Sequence, residues 1–105
     1  MNIQVQQIQP TEDDKIFHVS VIIDDVTHQF TLTMKIVQIA DRLIQIVNGD
    51  THFLETFKFH QKIARQISQL ISQTYNNEPI ELPINLLGEP RVTETKKSLV
   101  INSAF

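Results

Sequence analysis

Four histidines (His18, His28, His52 and His60) are the side chains best suited to chemistry in this sequence, and cysteine is absent. Thiolate zinc sites, disulfides and cysteine nucleophiles are therefore excluded. Zinc needs three or four donors converging at close range. No two of these histidines stand three or four apart on a helical stretch, and none form a His-x-His on a strand. The nearest combination is His52 with Glu55, which share a helix face only if a helix begins that early. The expectation is scattered histidines with no metal and no cofactor. His60 stands out because it falls inside an apolar helical arc. There it is either a core histidine bonded to backbone or to Tyr75, or a base in a ligand pocket between helix and sheet, with Phe30 and Met34 in the wall. His60 and Tyr75 are accordingly the candidate ligand-binding residues, and no catalytic residue is assigned.

The acidic runs Glu12-Asp13-Asp14 and Asp24-Asp25 lack the alternating oxygens and central glycine of a calcium loop, and read as turn chemistry. Lys58, Lys62 and Arg65 make a basic stripe on the outer face of the expected helix, away from its aromatics. Three phosphate contacts would give a salt slope of only about −2.7. With nine basic and twelve acidic residues the net charge is −3, so a nucleic-acid partner is not expected. The longest apolar runs are three residues (Val21-Ile22-Ile23 and Leu99-Val100-Ile101), far short of the ~20 that cross a bilayer. Met1 is followed by Asn-Ile-Gln-Val-Gln-Gln, without a basic start and apolar core. A cytoplasmic protein with no membrane partner is the expectation.

The elements that must position these side chains belong to one α+β domain over residues 1–105. Residues 2–9 alternate weakly and suit a first, edge strand. Residues 16–23 and 28–36 alternate cleanly, with Phe17, Val19, Val21 and Ile23 on one face of the first and Phe30, Leu32, Met34 and Ile36 on one face of the second. A four-residue loop, Asp24–Thr27, would pair Ile23 with His28, Val21 with Phe30, Val19 with Leu32 and Phe17 with Met34. Ala40-Asp41 turns into a third strand, Leu43–Val47. Asn48-Gly49 then either makes a hairpin to a strand at Thr51–Glu55 or leads into a helix capped by Asp50 or Thr51.

From Phe57 to Tyr75 the apolar residues fall within an arc of roughly 160°, which predicts one long amphipathic helix stopped by Asn76-Asn77 and Pro79. Ile80, Leu82, Ile84 and Leu86 alternate around Pro83, as an edge strand or an extended strap over 80–87. Gly88-Glu89-Pro90 breaks the chain again, and residues 88–105 read as a partly disordered tail or a last short strand at Leu99-Val100-Ile101. The predicted fold is an antiparallel β-meander of three to five strands with one long helix on one face, followed by an extended C-terminal segment.

One helix can cover only one face. The other carries Ile16, His18, Ile22 and Val37 among polar residues, and these four are the candidate interface. The function expected is a non-catalytic protein-interaction or regulatory module, self-associating or bound to another protein through that open face. The alternative is a small-ligand binder or enzyme with its pocket near His60.

Overall fold

The computed structural model describes residues 2–86. It is an α+β meander: a five-stranded antiparallel sheet with helix packed on one face. The strands are β1 (Ile3–Pro10), β2 (Ile16–Ile23), β3 (Val26–Ile39), β4 (Arg42–Gly49) and β5 (Ile84–Leu86), in the order β4-β3-β2-β1-β5. Two helices, α1 (Thr51–Thr56) and α2 (Gln61–Tyr75), lie between β4 and β5. The turns and strands expected at residues 88–105 lie outside the described residues.

The alternating faces of β2 and β3 are as the sequence reads: Phe17, Val19, Val21, Phe30, Leu32 and Met34 are all at most 2% exposed. Their register differs from the expected one by two residues. Ile23 pairs with Val26, Val21 with His28, Val19 with Phe30 and Phe17 with Leu32. The reason lies in the turn, where Asp24 (φ 48°) and Asp25 (φ 73°) both take left-handed backbone and close a two-residue hairpin. Aspartate tolerates that conformation better than most residues, and such a turn matches strand twist. A shift of two keeps every side chain on its own face, so the core is unaffected.

β1 is an interior strand, paired with β2 on one side and β5 on the other, and not the edge that its weak alternation suggested. That weak alternation has a structural cause. A bulge between Val5 and Gln7 absorbs one residue, which brings Ile8 onto the face already holding Ile3 and Val5. Ile80, Leu82, Ile84 and Leu86 pack against the same core, so among the described residues this segment helps close the inner face and does not cross the outer one.

The helical region is divided where one rod was expected over 57–75. At 100° per residue Phe57 and Ile63 would stand roughly 120° apart on a continuous helix. Interrupting the helix at Phe57–His60 lets both bury, each to 1% exposure. Phe53 and Phe57 close on Phe30 at ring-centroid distances of 5.4 and 5.5 Å, while α2 sets Ile63, Ile67, Leu70 and Ile71 onto the sheet. Phe59, expected on the apolar arc, is 80% exposed.

Asn48-Gly49 is the end of β4 and not a hairpin turn, since neither residue has a positive φ. Asp50 caps α1: its carboxylate accepts from Phe53 N (2.8 Å) and from Thr31 N of β3 (2.9 Å), tying the helix start to the sheet. Gly49 is required by packing, because a Cβ there would fall 2.8 Å from Phe53 Cβ and nearer still to the buried ring. Gly49→Ala should therefore destabilise by about 1–3 kcal/mol. Asp50→Ala should cost about 1–2 kcal/mol through the lost cap, both measured by urea denaturation.

Candidate interaction surface on the β3–β4 ribbon

β3 is fourteen residues long, but β2 pairs only as far as Thr33, opposite Ile16, and Lys15 O accepts from Met34 N just beyond. Among the described residues, β3 from Lys35 onward has one neighbour, β4, through the pairs Lys35–Ile46, Ile36–Gln45, Val37–Ile44, Gln38–Leu43 and Ile39–Arg42. Ala40 (φ 55°) and Asp41 make the connecting turn. The result is a two-stranded ribbon projecting past the core, an arrangement marginal in water without further partners.

The ribbon is aliphatic on both faces. Leu43 is 72% exposed, Ile39 54%, Ile46 39% and Ile36 37%, with Val37 and Ile44 half-buried beside them. Grouped apolar exposure of this kind marks association surfaces more often than single exposed side chains do. One tether joins the ribbon to the helix layer: Gln45 and Asn76, the C-cap of α2, exchange two amide hydrogen bonds of 2.8 and 3.2 Å. Beside it, between β4 and α2, runs a groove of about 450 Å³ lined by Gln45, Val47, Arg65, Ser68, Gln69, Ser72 and Gln73.

The expected interface residues are not brought together on this surface. Val37 sits within the ribbon's aliphatic cluster, opposite Ile44. Ile16 faces Thr33 at the ribbon's root, His18 lies exposed between Gln9 and Thr31, and Ile22 lies between Gln4 and Thr27. The apolar part of the outer face is thus concentrated at the β3–β4 end. Ile39, Ile44 and Ile46 are members that strand parity alone did not reveal, because β3 runs three residues further than its alternation shows.

His60 and Tyr75 are also kept apart. His60 is the N-cap of α2 and Tyr75 its last residue, about 22 Å along the axis at 1.5 Å per residue. The space directly beneath the helices, where Phe30 and Met34 would wall a pocket, is filled by Phe30, Leu32, Met34, Phe57, Ile63 and Ile67, each at most 1% exposed, and clefts open along the β4 flank instead. His60 N donates to Phe57 O, and His60 O accepts from Ala64 N.

Folding pairs two histidines that spacing left scattered. His28 Nδ1 and His52 Nε2 are 3.2 Å apart, with both rings packed around Phe30. Their meeting depends on the β3–β4 pairing, which sets Gly49 opposite Leu32, and on α1 starting directly after it at Thr51. Among the described residues, no group of three or more histidine, cysteine, aspartate or glutamate side chains is arranged to hold a metal ion. The basic stripe is likewise divided: Lys58 lies between the helices with its Nζ 5.4 Å from the centroid of the Phe59 ring, while Arg65 lines the β4 groove. Among the described residues, no helix is long and apolar enough to cross a membrane.

The chain matches no family model and no curated protein.

If the ribbon's aliphatics serve contact and not the core, Leu43→Lys should change unfolding free energy by no more than about 0.5 kcal/mol. Leu32→Ala, at a site with no exposure, should cost about 2–5 kcal/mol. Denaturant titration of the two variants checks the contrast.

Proposed function

We propose that this chain is a non-catalytic protein-interaction module whose working surface is the β3–β4 ribbon. The observation that carries the reading is the clustering of Ile36, Ile39, Leu43 and Ile46, all more than a third exposed, on a ribbon that β2 does not reach. Four aliphatic side chains exposed to water on two strands gain little for the fold. Burial against a partner would return roughly 25 cal/mol for each Å² of apolar surface covered.

The shape supports the same reading. The sheet is braced by the buried α2 face, so the ribbon is presented from a packed base. The wide edge offers both apolar side chains and strand backbone, the combination used in recognition by strand addition.

A photo-crosslinking residue placed at Ile39 tests this. Irradiation in the native host should give a discrete protein adduct, whether with a second copy or another protein. The same probe at Gln9, on the same face but two strands away on β1, should give none. Equal background labelling at the two positions would contradict the reading.

A further inference from the structure

We propose that the partner of this ribbon is a second copy of the chain, joined through β4 in an antiparallel, two-fold pair centred on Gln45, an inference that rests on the ribbon reading above. The two edges of the sheet are built differently. At one, β5 is three residues long and preceded by Pro83 and Glu81, features that blunt strand addition. At the other, β4 is eight residues long, Arg42-Leu43-Ile44-Gln45-Ile46-Val47-Asn48-Gly49, without proline or a bulge against β3 and with its sole charge at one end. Among the described residues it has no second neighbour.

The backbone pattern says which groups are available. Asp50 N donates to Thr31 O, so residues 31 and 50 form a hydrogen-bonded pair. Such pairs alternate along an antiparallel ladder, so Asn48, Ile46, Ile44 and Arg42 direct their N–H and C=O toward β3. Leu43, Gln45, Val47 and Gly49 direct theirs outward.

Only one two-fold register matches the side chains. Centred on Gln45, Leu43 lies opposite Val47 of the second copy and Ile44 opposite Ile46, each contact occurring twice, with about six inter-chain backbone hydrogen bonds. A centre on Ile46 sets Ile44 against Asn48 and Leu43 against Gly49. A centre on Ile44 sets Leu43 against Gln45 and Arg42 against Ile46.

Charge and shape agree with the Gln45 centre. Arg42 of one copy comes to Asn48 of the other and lies diagonal to its Asp50. The most exposed aliphatic of the strand, Leu43, arrives beside Val47, which lines the groove under α2. The two sheets then continue as one, with the helices of both copies on the same side. Symmetry closes the assembly at two copies, because the outward edge of β4 is consumed.

Sedimentation over a concentration series into the hundreds of micromolar should show a species of twice 12.1 kDa, lost in the double variant Leu43→Lys, Ile46→Lys. The chain has no cysteine, so register is read directly. Opposed residues of a non-hydrogen-bonded pair have Cα atoms about 4.5 Å apart, within the span of a disulfide. Mixing Ile44→Cys with Ile46→Cys under mild oxidation should yield the mixed disulfide in preference to either self-linked product. This second measurement decides the matter even if the lysine variant fails to fold. A chain that stays monomeric throughout overturns self-pairing while leaving the ribbon free for a different protein, as the Ile39 adduct would show. A dimer indifferent to the lysine pair, without the 44–46 disulfide, overturns the β4 edge and its register.

Discussion

Helix α2 is shorter in reach than the strand it covers, and that mismatch shapes the molecule. Ile63, Ile67 and Ile71 are sealed against the sheet, and the aromatic group of Phe30, Phe53 and Phe57 extends the seal toward the start of β3. Coverage ends near Met34 and Val47. β3 continues five residues beyond, to Ile39, and β4 returns alongside it. Where the helix layer is present, apolar side chains disappear from water. Where it stops, Ile36 and Leu43 on that same face stay exposed, while Ile39 and Ile46 lie on the outer face, away from the helices.

Two small devices hold that boundary in place. Asp50 accepts from both α1 and β3, fixing the helix layer to the sheet next to Gly49, whose missing side chain admits Phe53. At the other end Asn76 and Gln45 link the finish of α2 to the ribbon through side-chain amides. The first is a partly buried cap supported by a packed ring. The second is exposed, and exposed amide pairs contribute little against water. The ribbon is thus joined firmly at its root and weakly along its flank.

Much of the fold was legible because burial has a period. Phe17, Val19 and Val21 with Phe30, Leu32 and Met34 announce a half-buried sheet, and Ile63, Ile67, Leu70 and Ile71 announce a helix face. The β2–β3 register was not legible, because shifts of two residues bury the same side chains and only the backbone of Asp24 and Asp25 separates them. The helix break escaped for a related reason: a helical wheel accepts Phe57, Phe59 and His60 on one arc without asking whether each can reach the sheet. Asn48-Gly49 carries the composition of a turn, yet the glycine answers a distant demand, the Phe53 ring. Of the surface, Val37 was visible by parity, whereas Ile39, Ile44 and Ile46 became meaningful only with the length and partner of β3. The meeting of His28 and His52 needed tertiary structure throughout.

The central claim is that β4 bonds to β3 with one side of its backbone and offers the other. Amide hydrogen exchange, residue by residue at the lowest workable protein concentration, tests it most directly. Protection should alternate, with Ile44 and Ile46 protected while Leu43, Gln45 and Val47 exchange quickly. Uniform protection across Leu43–Val47 in the dilute monomer, or uniform rapid exchange, would contradict it.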